Sequence, residues 1–514
     1  MRRAESVFLA FAAALALAAA LRLPAAWESG NALNHVSGAW MTLADDLARG
    51  TFYRPMYDPA LGYGGTRFFP LVFALHAGLL RAGVPLLAGG YLLSAAAGAL
   101  VLAAAFVLLR RMGLRRAPAA AFSVLGLAGF SAQLGLAASR GDLLPLGLSA
   151  LGLAAAVSPR RRLVLAAALF TLAFAAKPTS LTAPAAAVVW LVLRAERRPA
   201  ALLALGTALP CAGLVAVTDA LSGGRFLEVL RACASGGAGA GDVLRAPLRL
   251  VHHLAVGDPA GALLVAVAAA AAVAVGPALL VLARWRAPAP PLALALLWLA
   301  FAAASALAVF ASPGTGVNHL VELEVAGAVA LGGIAYAGGD AARVARLLAP
   351  VATAVAVALT VVGWRHDLRT SRLLEIRAVV RALPPGPLLS EDPLVPLLAG
   401  TRPVLLDAWM VRLAASRDPA FAQGLAADLA RGAYAAVVLY RDLDDPEAEV
   451  WFESAHLGLP LVGEIRRRYR RAGDIGRYHV YVPRRTERPV EGTPGGAPRT
   501  TAAAPHVVGD TSAR

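Results

Sequence analysis

Lysine is almost missing from this chain of 514 residues: of its 48 basic side chains, all but Lys177 are arginine. Asparagine occurs only as Asn31, Asn34 and Asn318, and cysteine only as Cys211 and Cys233. One cysteine lies in an apolar run and the other in a loop, which gives no basis for a disulfide framework. Charged residues make up 16% of the chain against roughly 25% in soluble domains, and 58% of it is hydrophobic, which excludes an ordinary water-soluble globule. The apolar runs lack strand alternation, which excludes a membrane barrel. Metal spacings such as His-Glu-x-x-His and the glycine patterns of Walker and Rossmann loops are also absent. The scarcity of Lys and Asn beside abundant Ala, Arg, Gly and Pro fits a GC-rich genome. A lysine or asparagine kept against that bias is a pointer to a site.

What the chain does have is repeated apolar runs of about 20 residues, rich in Ala, Leu and Val, which read as membrane helices. The net charge of +16 comes from arginines clustered in short turns between runs, the positive-inside pattern, and calls for no nucleic-acid partner. Met1-Arg2-Arg3 precedes the first run, 6–24, so this span starts in the cytoplasm. Arg22 and Pro24 follow the run where a signal peptide would need small residues, so it reads as an uncleaved span. A polar loop, 27–87, comes next on the outer face. Its apolar piece Phe68–Leu80 has 13 residues, too few to cross a core that takes about 20, and reads as a juxtamembrane or re-entrant helix. Further spans are expected at 89–109, 117–138, 143–157, 163–177, 179–193, 200–219, 259–283, 290–311, 319–337 and 347–364, about eleven in all. This count puts the C-terminus outside. Residues 365–483 change character and read as a small α/β domain. Its expected strands are Leu388–Ser390, Pro403–Leu406, Ala435–Tyr440 and Tyr478–Val482, with helices at Asp418–Arg431 and Glu447–His456. Residues 484–514 read as a disordered tail. The expected fold class is therefore an all-α polytopic membrane domain, 1–364, plus a small C-terminal α/β domain.

Candidate chemistry gathers on the outer loops. Asp45 and Asp46 are a pair of acids that could activate an acceptor hydroxyl, although neighbours on a helix point about 100° apart, so that one at most faces a site. Arg67, within Gly64-Gly65-Thr66-Arg67-Phe68-Phe69-Pro70, has the fork that suits phosphate. The bland reading is an arginine snorkelling to lipid headgroups. Arg140 and Asp142 share a four-residue turn, where they could equally cap helices. Lys177 stands before Pro178-Thr179 at a span end and is either a snorkelling end residue or a phosphate partner. Asn318, His319 and Glu322 open a span; Asn318 and Glu322 share its face, a costly arrangement without a partner or cavity. Tyr63 and His76 are weaker candidates in the same long loop. No residue set specifies a metal, and a divalent cation is left open.

In this order on one face, these elements resemble the GT-C glycosyltransferases, multi-span enzymes that take a sugar from a polyprenyl-phosphate carrier. The resemblance covers most of 1–364. It rests on the acidic loop after the first span, the Leu47–Tyr53 run, the Arg140-x-Asp142 turn, the Lys177-Pro178-Thr179 turn and Asn318-His319…Glu322. The outer-face region with Ser390-Glu391-Asp392 and Leu397–Gly400 is similar to bacterial members. The resemblance implies a mannosyltransferase- or arabinosyltransferase-like enzyme of the bacterial inner membrane. Its donor would be a polyprenyl-phosphate sugar, its acceptor a glycan, lipid or protein, and membrane lipids would surround it. It implies phosphate binding by Arg67, Arg140 and Lys177 and acid–base work by Asp46, Asp45 or Asp142. One departure is visible: many relatives carry the key acid about twelve residues before the glycine matching Gly50. Here that is near Gly38, among Asn34, His35 and Ser37, with no carboxylate. A non-catalytic scaffold of the same fold is the alternative. A transporter fits less well, because the polar residues gather on one face rather than at the midplane.

Overall fold

The computed structural model describes residues 2–158, 162–233, 238–284, 291–312, 314–337 and 339–484. The expected tail from 485 on and the arginines at 160 and 161 lie outside these residues. Apolar helices dominate. Among the described residues six are long and apolar enough to cross a membrane: Ala4–Ser29, Leu86–Arg111, Arg197–Leu221, Pro291–Val309, Val317–Ala337 and the run Gly339–Ala382. The expected span 117–138 is corrected: it is two helices, Arg116–Leu125 and Phe130–Ala137, bent by 84°. Gly126 and Gly129 flank the break, and the Glu324 carboxylate fills the space where a Cβ on Gly129 would go. A continuous apolar run hides this break, because hydropathy does not register two glycines. The helices Leu143–Ala156, Leu163–Ala176 and Thr182–Leu193 have 14, 14 and 12 residues. At 1.5 Å per residue they reach only about 18–21 Å. Pro70–Arg81 is likewise short, at 12 residues. The helices share one core around Leu109, Phe122, Leu153, Phe170, Trp298 and Leu331.

The long loop is a folded layer. Asn34 caps the helix His35–Ala48, its side chain accepting from the Val36 and Ser37 amides. After it come the two-residue strands β1 (Tyr57–Asp58) and β2 (Gly62–Tyr63). The C-terminal region holds β3 (Leu388–Ser390), β4 (Ala436–Leu439), β5 (Tyr469–Ile475) and β6 (Tyr478–Pro483) in the order β3-β4-β6-β5, with β3 and β4 parallel and the rest antiparallel. Three of the expected strands are there. The fourth, Pro403–Leu406, is instead a docking strip for the loop: Leu405 bridges Tyr63, and the Tyr63 amide donates to the Val404 carbonyl at 2.8 Å.

Loop and sheet share their cores. Leu33 and Met41 pack with Ile376, Val438 and Tyr478. The expected boundary after 364 falls inside the helix Gly339–Arg369. Gly62 shows how tight the seam is. Its φ is +77°, and a Cβ there would stand 2.1 Å from the Val404 carbonyl oxygen. Gly62→Ala is expected to destabilise the protein by about 2 kcal/mol or more, adding a clash to the cost of a left-handed backbone. A thermal melt in detergent checks this, and an unchanged melt would mean the loop can lift off without cost.

Candidate functional site

The turn Ala138–Asp142 follows the bent helix pair and is pressed into place from the loop side. The Trp40 ring lies where a Cβ on Gly141 would be, 2.6 Å away. Trp40 also stacks on Phe68 at 4.2 Å, and the Tyr53 hydroxyl donates to the Phe68 carbonyl at 2.8 Å. This aromatic packing therefore positions both the Arg140–Asp142 turn and Arg67, the neighbour of Phe68.

Asp142 is the hub. Its Oδ2 accepts from Arg140 Nε at 3.0 Å, and its Oδ1 accepts from Lys177 Nζ at 2.8 Å and Asn318 Nδ2 at 3.2 Å. Burial pushes the Asp142 carboxyl up, but Lys177 and Arg140 outweigh it and hold the group well below the usual carboxylate range. The charges of Lys177, Asp142, Arg67 and Arg140 all reach the His319 ring. Glu322 accepts from Trp298 Nε1 at 3.0 Å and from the Thr182 hydroxyl. Asp142, Lys177, Asn318, His319 and Glu322 line one cavity of about 30 Å³. Beside it, Leu181, Pro184, Val188, Ala208, Cys211 and Val215 line an apolar groove of about 550 Å³. The turn from Lys177 to Leu181 belongs to both: Lys177, Thr179 and Ser180 face the polar cavity and Leu181 the groove.

The rare residues Lys177 and Asn318 thus meet on one carboxylate. Four other candidates are engaged elsewhere. Asp46 is buried, with Arg54 Nε at 2.5 Å, Arg54 Nη2 at 3.1 Å and Arg402 Nε at 3.1 Å. Asp45 points the other way and pairs with Arg49 one turn on, at 2.9 Å. Tyr63 is a docking residue, its hydroxyl accepting from the Leu425 amide at 2.8 Å and its ring set against Phe421. His76 is tied to the Leu86 carbonyl at 2.9 Å and packs on Gly89.

A second polar cluster lies where the loop meets the sheet; Glu391 and Asp392 entered the sequence reading only through the resemblance, not as site candidates. Glu391 and Asp392 follow β3, and Tyr440 follows β4, at the carboxyl ends of the two parallel strands. Sites in open α/β sheets commonly lie there, and this was the available signal. Arg372 binds Asp392 at 2.6 Å and the Tyr440 hydroxyl at 2.7 Å. His456 Nδ1 lies 2.9 Å from Glu391 Oε1, and the His456 ring meets that of His35. Among the described residues, no three of His, Cys, Asp and Glu are grouped so as to hold a metal ion.

The bent apolar bundle, the folded loop layer and the small sheet at one end are together the fold of the GT-C membrane glycosyltransferases, carried by a multi-pass membrane protein. The chain is similar to ArnT from Cupriavidus metallidurans bound to undecaprenyl phosphate, with a TM-score of 0.55 and 14% identity over 92% of this chain and 98% of that one. It is also similar to the archaeal oligosaccharyltransferase AglB from Archaeoglobus fulgidus, in complex with an inhibitory peptide and a dolichol-phosphate. There the TM-score is 0.53 and the identity 12%, over 94% of this chain and 75% of that one. No family model and no curated protein sequence matches the chain.

Proposed function

We propose that the protein transfers a sugar from a polyprenyl-phosphate carrier to an acceptor hydroxyl at the outer face of a bacterial cytoplasmic membrane. In this reading its N-terminus is in the cytoplasm and its C-terminal region outside. One observation carries the reading: the turn Lys177–Leu181 has a small polar cavity, which Lys177 shares with Asp142 and Glu322, on one side and an apolar groove on the other. A ligand with an anionic group for Lys177 and a long apolar tail for the groove meets both. ArnT, of the same fold, has been seen with undecaprenyl phosphate, and AglB with dolichol-phosphate. Arg67, Arg140 and Lys177 would take the phosphate, the groove the first isoprene units, and the water side the acceptor. Asp142 stays ionised and holds the cations in register rather than carrying a proton.

The test uses the full chain in lipid nanodiscs with a panel of undecaprenyl-phosphate monosaccharides and pooled glycan, lipid and peptide acceptors. Release of undecaprenyl phosphate from at least one donor is the expected result. Failure to release it from any of them, with no binding of undecaprenyl phosphate itself, would favour the scaffold reading. A second check is structural: lengthening residue 208 or 212, in Ala208→Phe or Ala212→Phe, fills the groove and is expected to weaken undecaprenyl-phosphate binding at least about tenfold while leaving short soluble phosphates unaffected.

A further inference from the structure

The helix Ala240–His252 has three faces. At about 100° per residue, Val243, Leu244, Leu248 and Val251 fall within an arc of about 140°. Asp242, Arg245, Arg249 and His252 fill the opposite side, and Ala246 and Leu250 one edge between the two. The edge packs on the protein: Ala246 is buried with Phe310, Ala311 and Leu320, and Leu250 and Val317 pack against them. The apolar face is bare. Val243, Leu244, Leu248 and Val251 are 59%, 83%, 73% and 61% exposed. On the charged side, Asp242 accepts from Arg249 Nη2 at 2.6 Å and from the Gly239 amide at 3.0 Å. Arg245 is exposed.

The edge contacts set the level of this helix. Phe310 and Ala311 follow directly on the span Pro291–Val309, and Val317 opens the span Val317–Ala337. Arg249 Nη1 donates to the Ala311 carbonyl at 3.2 Å. The helix therefore lies where spans end, at the boundary between hydrocarbon and headgroups. Upright, it would carry either its stripe into water or Arg245 and Arg249 into hydrocarbon. Lying along the boundary, it turns the stripe to the acyl chains and the charged side to water, as interfacial helices do. Pro247 agrees with this level. It has no amide to give the Val243 carbonyl, a group that water satisfies at the interface and hydrocarbon does not. At 13 residues the helix is about 20 Å long, too short for a span. A partner protein is the other cover for an apolar stripe, but the bilayer around the two spans already reaches this level.

We propose that the helix Ala240–His252 is an interfacial anchor for phospholipid. Val243, Leu244, Leu248 and Val251 sit among the acyl chains of the leaflet at the cavity's end of the bundle, and Arg245 meets the headgroup phosphates. The proposal rests on the multi-pass membrane fold and not on the transferase reading. The anchor is tied to the candidate site. After the helix the chain makes one wide turn, His253–Gly257, in the π conformation. The His253 ring packs on Phe310 with centroids 5.1 Å apart, and a Cβ on Gly257 would stand 2.6 Å from the Val317 side chain. Val317 precedes Asn318 and His319, which line the polar cavity. A helix held by the leaflet therefore braces the turn that brings Asn318 to Asp142.

The experiment uses the full chain in nanodiscs of phosphatidylethanolamine and phosphatidylglycerol, with a bimane fluorophore on single introduced cysteines. Leu244→Cys and Leu248→Cys report the stripe, and Arg245→Cys the charged side. Cys211 and Cys233 are buried, and unmutated protein carried through the labelling gives the background. Phospholipids brominated on their acyl chains are expected to quench the fluorophore at 244 and 248 at least about twofold, and aqueous iodide to quench it little, with the reverse at 245. Adding Arg245→Glu to Leu244→Cys is expected to lower the lipid quenching by about half, because phosphate repels a carboxylate. The labelled positions are all exposed, so the substitutions leave the core untouched. Free access of iodide to 244 and 248 would place the stripe in water and overturn the proposal. Exclusion of both quenchers would overturn it in favour of a protein partner. Lipid quenching that Arg245→Glu leaves unchanged would overturn the contact of Arg245 with phosphate.

Discussion

Asp46→Ala is expected to cost the protein its stability before any effect on chemistry can be read. The Arg54 side chain is 0% exposed and that of Asp46 2%. The guanidinium meets the carboxylate with two parallel bonds, at 2.5 and 3.1 Å. Its remaining donor, Nη1, holds the Leu61 and Pro403 carbonyls, each at 2.7 Å. Removing the carboxylate leaves a buried cation with two donors unpaired, and breaking such a pair costs about 3–5 kcal/mol. Arg402, 29% exposed, can turn to water and adds little to that cost. The neighbouring Asp45→Ala is expected to cost no more than about 0.5 kcal/mol, because Asp45 pairs with an exposed Arg49 one turn on. Thermal melts of the two single variants should therefore differ sharply although the residues are adjacent. The double variant Asp46→Leu, Arg54→Leu removes both charges and is expected to recover much of the loss, since an apolar pair of similar size often serves as well. Should Asp46→Ala melt like wild type yet abolish donor cleavage, Asp46 would be a catalytic residue and the ion-pair account would fall.

That contrast marks what a sequence can and cannot carry here. The pair Asp45-Asp46 was legible as a pair, and helix geometry already said that one of the two turns inward. What it turns inward to is chiefly Arg54, only eight residues on, but the pairing was not legible because the turn between them that brings the two together, and the Pro403 carbonyl that holds the same guanidinium, depend on the loop docking on the C-terminal region. Three of the four sheet strands were legible from their short apolar runs; β5, whose Arg470–Asp474 stretch is polar and exposed, was not, and the strip Pro403–Leu406 looks like a strand but spends its backbone on the loop instead. The bend between Arg116–Leu125 and Phe130–Ala137 escaped because hydropathy reads length, not direction. Lys177 and Asn318 stood out through rarity and do meet on one carboxylate. His35 was noted only as a neighbour of the missing acid, and His456 only as the last residue of an expected helix: their ring contact is a product of the loop docking on the sheet.

Undecaprenyl-phosphate binding is expected to respond in opposite directions to changes at Arg67 and Asp142. Among the described residues no acidic side chain pairs with Arg67, so its fork is available to an anion. Arg67→Ala removes charge-assisted hydrogen bonds worth about 1.5–3 kcal/mol and should weaken binding roughly 10- to 150-fold. Lys177→Met acts in the same direction but less strongly, because Lys177 is already shared with Asp142 at 2.8 Å. Asp142→Asn takes away the anion that competes with phosphate for Lys177 and Arg140, so binding should hold or tighten. Transfer should nevertheless slow, because the cations lose the carboxylate that keeps them in place. The pH dependence follows from the same geometry. The folded-state pKa of Asp142 is depressed, so its ion pairs are fully formed above the ordinary carboxylate value near 3.8 and are lost only as pH falls below it. Between about pH 5 and 8 Asp142 therefore contributes no change, and wild-type affinity should rise only with the second ionisation of the phosphate near about 6. Isothermal titration with undecaprenyl phosphate in nanodiscs reads all three variants. Equal weakening in Arg67→Ala and Asp142→Asn would mean that the cluster is a structural brace and that the phosphate binds elsewhere.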